Sequence, residues 1–265
     1  RARSGAGGAL RGGPVSAGGR RVLVTGGSRG IGRATAEAFA RAGAAVAFNY
    51  SRAEDETEAL ETLAALRALG RPVHAARGDV ADADAVTRLF DEVREALGGA
   101  PDVLGNNAAV THDGLLMMLP ESAWDRVVAV NLKGAFLCCR AVLRGMIAGR
   151  WGRIVNVTSP AAFFGKEGAS SYAAAKGGLV SLTKSLAREV ARYGITVNAV
   201  SPGYVDTHLI AGLSETERRA LAGEIPLGRF ATADEVAATI VFLASPTAAY
   251  MTGTTLHVDG GLTML

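Results

Sequence analysis

Three residues in the middle of the chain could together carry out acid–base chemistry. Tyr172 and Lys176 lie four residues apart, and Ser159 precedes the tyrosine by thirteen positions. Residues i and i+4 share one face of a helix, so a phenol and an ammonium would lie side by side. A neighbouring positive charge favours the phenolate and lowers the tyrosine pKa, which predicts that Tyr172 can exchange a proton at ordinary pH. The same spacing also arises by coincidence, so its weight depends on the surrounding sequence.

A glycine-rich segment near the N-terminus predicts a phosphate-binding loop. Residues 21–25 have the composition of a short buried strand, and residues 26–32 lead into a helical pattern over 31–42. Between a strand and a helix, glycines let the backbone approach a pyrophosphate, while free N–H groups and the positive end of the helix dipole face the anion. Glycines also close ordinary surface turns, but the flanking strand and helix favour a nucleotide site.

Strand and helix patterns alternate along the rest of the chain. The further strands are predicted at residues 45–50, 72–76, 102–106, 153–158, 195–200 and 254–258, and the further helices at 54–69, 83–97, 121–147, 171–193 and 233–243. Such alternation predicts an α/β fold in which helices cover both faces of a parallel sheet. Ligands of these sheets bind beyond the carboxyl ends of the strands, where every motif above falls. We expect one domain over residues 21–265 after a disordered leader at 1–20, whose glycine- and arginine-rich composition cannot form a core.

The motifs of the chain follow the order found in the short-chain dehydrogenase/reductase family, which the sequence resembles from residue 21 to residue 265. They are Thr25-Gly26-x-x-x-Gly30-x-Gly32, Asp79-Val80, Asn106-Asn107-Ala108, Asn131, Ser159, Tyr172-x-x-x-Lys176 and Pro202-Gly203-x-x-x-Thr207. Within the family, residues 28–33, 185–190, 194–198 and 256–261 are most similar to bacterial 3-oxoacyl-[acyl-carrier-protein] reductases. The resemblance implies a Rossmann-type doubly wound sheet of seven parallel strands in the order 3-2-1-4-5-6-7.

The resemblance also implies roles for four catalytic residues in the reduction of a ketone. Tyr172 would donate a proton to the developing alkoxide, and Ser159 would hydrogen-bond the same oxygen. Lys176 would hold the ribose hydroxyls of the cofactor and keep the tyrosine pKa down. Asn131 would anchor a water that feeds protons through Lys176, although an asparagine can also simply bend its helix.

The charge of the residues after the second strand predicts the cofactor. A protein that prefers NAD usually has an acid there, whereas residues 49–52 read Asn-Tyr-Ser-Arg and no acid precedes Glu54. Arg29 and Arg52 could clamp a 2′-phosphate through paired guanidinium donors, unless both are merely solvated. NADPH is therefore the predicted cofactor.

The cofactor-binding residues are expected at all of these motifs. By resemblance, Asp79 and Val80 would contact the adenine, Asn106 the adenosine side, and Val205 and Thr207 the nicotinamide amide and the pyrophosphate. The expected set is Gly26, Ser28, Arg29, Gly30, Ile31, Gly32, Tyr50, Ser51, Arg52, Asp79, Val80, Asn106, Ala108, Tyr172, Lys176, Pro202, Gly203, Val205 and Thr207.

Three positions depart from the family pattern, and one of them is Gly105, which replaces the large apolar residue usual at the end of its strand. Ala109 stands where the family has glycine, so a methyl group occupies a place where glycine permits unusual backbone angles. The affinity for the cofactor is the property that this change puts in question. Pro160 directly follows Ser159 and restricts the serine to extended backbone angles, which could reshape the substrate loop.

Composition excludes several other classes of protein. The isoelectric point of about 9.1 reflects five arginines in the first 21 positions, and residues 22–265 carry 23 basic against 25 acidic groups, so no nucleic-acid surface is expected. No apolar run approaches the ~18 residues of a membrane span. Cys138 and Cys139 are adjacent and the four histidines are scattered, so no metal site is expected. We expect a cytoplasmic bacterial protein, with an organelle transit peptide as the alternative interpretation of the leader.

The sequence predicts the substrate and the partners less specifically than the cofactor. Phe163, Phe164 and an apolar segment within residues 204–228 would form a wall for an acyl chain or a ring, and acyl-carrier-protein, acyl-CoA, polyketide and simple ketone substrates all stay open. Of the two arginines that meet the acidic carrier in the similar reductases, Arg150 matches the first, while the second falls on Tyr193 with Arg192 one place away. The resemblance also implies a homotetramer assembled through the helices at 121–147 and 171–193.

Two other functions remain open beside the NADPH-dependent ketoreductase. One is an NAD-dependent secondary-alcohol dehydrogenase, which relative binding constants for the two cofactors would decide. The other is a non-catalytic NADP-binding regulator on the same fold, which NADPH consumption with any β-keto substrate would exclude.

Overall fold

Short apolar runs form the seven strands of one parallel sheet in the computed structural model, which describes residues 17–210 and 212–264. The strands are β1 (Arg21–Val24), β2 (Ala45–Tyr50), β3 (Val73–Arg77), β4 (Val103–Asn106), β5 (Gly152–Val157), β6 (Ile195–Pro202) and β7 (Thr255–Val258). Their order is β3-β2-β1-β4-β5-β6-β7, and every neighbouring pair is parallel. The predicted doubly wound sheet and its strand order are confirmed.

Nine α-helices within the described residues connect and cover the strands. They are α1 (Gly30–Arg41), α2 (Glu56–Arg67), α3 (Ala83–Ala96), α4 (Glu121–Val128), α5 (Ala135–Gly149), α6 (Ala161–Phe164), α7 (Ser170–Val190), α8 (Glu215–Glu224) and α9 (Ala233–Ala244). The predicted leader at 1–20 lies outside the described residues except for 17–20, where the Ala17 N–H donates to the Ala42 carbonyl.

Alternate residues of the central strand β1 face two separate hydrophobic cores. Val22 and Val24 pack with Phe39 of α1 and Ile240 of α9 on one face of the sheet. Leu23 packs on the other face, among side chains of α3, α5 and α7. Because both faces are covered, the strands are nearly continuous apolar runs, and polar ligands can reach the sheet only at its edges.

The single helix predicted over residues 121–147 is interrupted. A π-helical segment (Ala129–Gly134) joins α4 to α5. The Asn131 side-chain amide donates to the Val127 carbonyl one turn earlier, at 2.8 Å, and to the Val110 carbonyl at 2.8 Å. A side chain that takes a helix carbonyl in this way disturbs the regular hydrogen-bond ladder, and π-bulges are frequent at functional sites.

Helix α8 was not predicted, although the sequence carries a signal for it. The Ser214 hydroxyl accepts a hydrogen bond from the Glu217 N–H, and the Glu217 carboxylate accepts one from the Ser214 N–H. Serine followed three residues later by glutamate is the sequence pattern of this reciprocal cap.

Candidate active site

Ser159, Tyr172 and Lys176 meet at the carboxyl end of β5. Ser159 follows the strand by two residues, and Tyr172 and Lys176 lie one turn apart on α7. The Ser159 side chain hydrogen-bonds the Tyr172 hydroxyl. The Lys176 ammonium nitrogen lies 5.6 Å from the centre of the tyrosine ring and donates to the Val157 carbonyl at 2.7 Å. The structure therefore brings the three predicted catalytic side chains together.

Burial controls the charge of this group of side chains. It raises the pKa of Tyr172 to about 12, against an opposing hydrogen bond from Ser159 and with a smaller contribution from the negative charge of Asp113. Lys176 is only 2% exposed, and burial lowers its pKa to about 7. The expectation that Lys176 lowers the tyrosine pKa is not met in this geometry, because the lysine is directed at a backbone carbonyl and its burial favours the uncharged form.

Asn131 lies at a small cavity behind Lys176. The cavity measures about 10 Å³, and both Asn131 and Lys176 line it, together with Asn106, Thr25 and other residues. The side-chain oxygens of Asn106 and Asn131 are buried and have no hydrogen-bond partner in the described part of the chain. A cavity of this size with several polar atoms suits one water molecule. The role of Asn131 as the anchor of such a water stays a prediction.

The phosphate loop is held in place by side chains that the sequence reasoning missed. The Asn49 side chain accepts from the Gly26 N–H at 2.9 Å and donates to the Gly78 carbonyl at 2.7 Å. The Asn107 amide donates to the carbonyls of Thr25 and Gly26. Polar residues at strand ends are common, and only the pairing of β1 with β2 and β4 brings these two asparagines to the loop.

Close packing explains why the loop residues are glycines. A Cβ atom on Gly32 would lie 2.1 Å from the Gly26 carbonyl oxygen, and Gly26 itself has φ +64° and would place a Cβ 2.8 Å from Ala108 Cα. The loop opens into α1, whose first residue is Gly30. Thr207, in the segment after β6, packs over Gly30. A narrow cradle of backbone N–H groups at a helix start fits a pyrophosphate.

Arg29 and Arg52 are paired with acids rather than merely solvated. Arg52 makes a two-point contact with Asp55, Nε to Oδ2 at 3.0 Å and Nη2 to Oδ1 at 2.8 Å. Arg29 lies 3.4 Å from Asp55 and 3.5 Å from Glu58. The two arginines converge beside the carboxyl end of β2, with Tyr50 as its last residue and Ser51 exposed next to it.

The other predicted cofactor residues fall into buried and exposed positions. Asp79 is engaged by Arg126 at 2.6 Å, and Val80 is buried against the small cavity. Asn106 is buried, and its amide donates to the Asn156 side chain at 2.8 Å. The remaining positions are Ser28 and Val205, which are buried, Ile31 and Gly203, which are partly buried, and Pro202, which is the last residue of β6.

The departures from the family pattern leave the backbone relaxed. In the described ranges, the non-glycine residues with positive φ are Arg150 and Met264, so Ala109 does not need glycine's freedom, and it is exposed. Pro160 is the N-cap residue directly before the short helix α6, and its φ of −51° is an angle that suits a proline.

Arg150 and Arg192 lie away from the catalytic side chains in the protomer. Arg150 precedes β5 and Arg192 precedes β6, so both stand at the amino ends of strands whose carboxyl ends carry the candidate site. Arg150 donates to the Arg192 carbonyl at 3.2 Å. The two arginines therefore do not lie at the mouth of the site in the same protomer.

Residues 26–263 match the model of a protein family described as enoyl-(acyl carrier protein) reductase. The chain is also 43% identical to the 3-oxoacyl-[acyl-carrier-protein] reductase FabG of Staphylococcus aureus over 243 residues, which cover 92% of this chain and 98% of that protein. The chain belongs to the short-chain dehydrogenase/reductase family. The prediction of an oxidoreductase is thereby confirmed.

Further members of the family share both sequence and structure with this chain. The FabG protein of Pseudomonas aeruginosa is 43% identical over 246 residues, covering 93% of this chain and 98% of its own. A putative short-chain alcohol dehydrogenase from Sinorhizobium meliloti superposes with a TM-score of 0.89 at 39% identity, covering 95% and 99% of the two chains. A blue fluorescent protein from a metagenomic library, solved in complex with NADPH, superposes with a TM-score of 0.86 at 35% identity, covering 92% and 98%.

The described residues also bear on metal binding and on membrane insertion. No three histidine, cysteine, aspartate or glutamate side chains within them cluster in a way that could hold a metal ion. None of the helices in the same ranges combines the length and the apolar character needed to cross a bilayer. Cys138 and Cys139 are buried free thiols, and burial raises the pKa of both.

Proposed function

We propose that the protein is an NADPH-dependent ketoreductase that converts a 3-oxoacyl thioester, or a polyketide-like β-keto substrate, to a secondary alcohol. The observation that carries the proposal is the hydrogen-bonded pair of Ser159 and Tyr172 beside Lys176, at the same sheet edge as the glycine cradle. The names of the FabG relatives support a thioester on acyl carrier protein as the substrate. The relative solved with NADPH supports the cofactor.

The proton in the reduction would come from Tyr172. A pKa of about 12 keeps the phenol protonated at neutral pH, so it is ready to act as an acid when negative charge develops on the carbonyl oxygen. Ser159 reaches the Tyr172 hydroxyl, so a carbonyl oxygen placed between them can receive hydrogen bonds from both. The hydride is the chemistry that NADPH supplies when bound.

Lys176 and Asn131 would replace the proton that Tyr172 gives away. A buried amine with a pKa of about 7 can both accept and donate a proton near neutral pH. The cavity of about 10 Å³ next to it carries the unpaired oxygen of Asn131. A water in that cavity would connect Lys176 to Asn131 and form the first step of a proton path.

The chain offers matching groups for each part of the cofactor. The glycine cradle and the helix start would hold the pyrophosphate, and Thr207 lies over it. Arg29 and Arg52 would hold the 2′-phosphate that distinguishes NADPH from NADH. For Asp79, Val80 and the remaining predicted residues we propose the cofactor contacts that the family resemblance implies.

An apolar surface at the mouth of the site suits an acyl chain. Phe163 and Phe164 are exposed on α6, and Phe163 packs its edge on His257. The four large apolar side chains of residues 115–118 are exposed in the loop after β4. The Gly114 N–H donates to the Gly168 carbonyl at 2.8 Å and holds this loop beside the segment between α6 and α7.

The assembly and the partner are proposed with the function. We infer a homotetramer formed through α4–α5 and α7. Because Arg150 and Arg192 lie at the opposite sheet edge from Tyr172, they could meet an acyl carrier protein only where a neighbouring subunit brings its own site to them. We also propose that the protein acts in the cytoplasm.

Replacement of Tyr172 by phenylalanine tests the proposed function. The variant should bind NADPH as well as the wild type, because the ring keeps its packing, while turnover of a β-ketoacyl thioester falls by about 10²–10⁴-fold, the usual contribution of a general acid. NADPH binding is measured by fluorescence titration and turnover by NADPH absorbance. Tyr250→Phe, at a fully exposed tyrosine away from the described site, is the matched control and should keep normal turnover. Near-normal turnover in Tyr172→Phe would rule out the assignment.

A further inference from the structure

We propose that Asp55 is a positioning residue that fixes Arg29 and Arg52 for the 2′-phosphate, and that Glu58 is a displaceable substitute for that phosphate. The inference rests on the proposed NADPH function and adds two acids to its specificity site. Neither acid belongs to the set predicted from the sequence, which recognised only the two arginines.

A single carboxylate joins arginines from two different segments. Asp55 bonds Arg52 through both of its oxygens, at 2.8 and 3.0 Å, and its Oδ1 also lies 3.4 Å from Arg29 Nη2. Its side chain is only 10% exposed, so water competes little for these contacts. Two-point contacts fix the plane of a guanidinium as well as its position. Arg29 comes from the phosphate loop and Arg52 from the turn after β2, and Asp55 sets their relative placement.

The backbone that carries these side chains is itself held firmly. The Thr62 hydroxyl on α2 donates to the Ser28 carbonyl in the phosphate loop at 2.7 Å, and Thr62 is fully buried. Asn49 bonds the same loop to the end of β2. Since the backbone segments are fixed, the flexible guanidinium groups are the parts that still need restraint, and Asp55 supplies it.

Glu58 contacts the same cluster in a different way. It makes one long contact, 3.5 Å from Arg29 Nη1, and its side chain is 39% exposed. Exposed single-point ion pairs contribute little net stability, so this pair breaks easily. A phosphate carries close to two negative charges and three strong acceptor oxygens, and it would replace Glu58 on Arg29.

The charge balance of the cluster explains why the replacement matters. Two arginines and the two acids that contact them sum to zero, and Glu54 acts on Arg52 with a further negative charge, so the cluster attracts a phosphate weakly. Once Glu58 turns into solvent, screening reduces its repulsion of the phosphate, while buried Asp55 keeps both arginines in place. The two acids therefore have opposite effects on binding, although each carries the same charge.

Two further titratable groups act on this cluster. The Glu54 carboxylate acts on Arg52 through its charge and is the same in every variant. His208 lies beside Gly30, and its pKa is lowered by burial first and by Arg29 second, against the raising effect of Asp55 and Glu58. Binding should therefore be compared at about pH 8, where the imidazole is neutral in every variant.

The test compares two substitutions that each remove one negative charge, Asp55→Asn and Glu58→Gln. Calorimetric titration with 2′-phospho-ADP-ribose and with ADP-ribose measures binding without turnover. If charge alone mattered, both variants would bind the phosphorylated ligand more tightly. We expect Asp55→Asn to weaken that ligand by about tenfold or more, the effect of losing charge-assisted hydrogen bonds, and Glu58→Gln to tighten it by up to about fivefold.

The controls separate positioning from folding and from the cofactor assignment. ADP-ribose should bind both variants as it binds the wild type, which shows that the loop is folded. Glu61→Gln, exposed on the same helix, should leave both ligands unchanged. If Asp55→Asn proves unstable, Arg52→Lys keeps the charge, loses the two-point contact, and should also weaken the phosphorylated ligand selectively.

Two outcomes would overturn the inference in different ways. Equal tightening in Asp55→Asn and Glu58→Gln, with a wild type that prefers the phosphorylated ligand, would refute the positioning role and leave the NADPH proposal intact. A wild type that binds both ligands equally would refute the NADPH preference itself, and the roles of both acids with it.

Discussion

The hydroxyl of Ser159 has two separable effects at the candidate site. It is placed to hold the carbonyl oxygen, and its hydrogen bond also lowers the pKa of Tyr172 against the raising effect of burial. Ketone reduction needs the protonated phenol, whereas oxidation of the alcohol in the reverse direction needs the phenolate. The serine should therefore influence the two directions differently as the pH changes.

Replacement of Ser159 by alanine should reveal both effects. Loss of one donor to the developing oxyanion should lower turnover by about 10²–10³-fold. Loss of the hydrogen bond should raise the Tyr172 pKa further, so alcohol oxidation should begin its rise at a higher pH than in the wild type. Rates of NADP⁺ reduction across the alkaline range measure the shift, with Ser245→Ala at the end of α9 as control. A slower variant with an unshifted profile would contradict the link between Ser159 and the tyrosine pKa.

Single residues also show where sequence reasoning ends. The spacing of Tyr172 and Lys176 was enough to predict that they meet, because helical geometry is local. The direction of the tyrosine pKa was not predictable, since it depends on burial and on the Val157 carbonyl that captures the lysine, and both come from the tertiary structure. Asp55 was missed for the same reason: its role follows from contacts to a loop 26 residues away.

The elements of the fold reproduce most of the predicted boundaries, with one instructive exception. The apolar periodicity of residues 121–147 continues through the π-helical segment, so the pattern alone predicts one helix. The interruption comes from Asn131, whose amide takes the carbonyls of Val127 and Val110. From the sequence, Asn131 was interpreted either as an anchor for a water or as a residue that bends its helix. In the structure, the same contacts that disturb the helix also place its side-chain oxygen in the cavity behind Lys176.

The contact between α2 and the phosphate loop can be tested by a nearly isosteric substitution. Thr62→Val removes the hydroxyl and leaves the Ser28 carbonyl without that donor, which should lower the free energy of unfolding by about 1–3 kcal/mol. NADPH affinity should fall severalfold as well, because the loop loses its support. Chemical denaturation and fluorescence titration measure the two effects. Thr87→Val is the matched control, since Thr87 makes a similar bond to Ala83 on the exposed side of α3; equal behaviour of the two variants would contradict the supporting role.

At the scale of the whole molecule, the alternation of strands and helices predicted a parallel sheet covered on both faces, and the family resemblance predicted its strand order. Neither the alternation nor the resemblance could predict which sites lie at the same end of the strands within one protomer. Arg150 and Arg192 were expected near the mouth of the site, but strand direction places them at the other edge of the sheet. Any cooperation between that edge and Tyr172 therefore depends on assembly, which makes the oligomeric state the decisive property at this scale.

An exposed aromatic side chain on α5 gives a direct test of the assembly. Phe136 is 43% exposed, and Arg140, one turn further, stacks on its ring at 5.2 Å. In the proposed tetramer this face packs against another subunit, so Phe136→Lys would bury a second positive charge beside Arg140 without an acid to pair with it on this helix face, which is strongly unfavourable. Light scattering after size exclusion should show four chains for the wild type and a smaller species for the variant. Leu60→Lys, on the exposed face of α2, should leave the mass unchanged, and a variant at position 136 that still forms tetramers would refute an interface through α5.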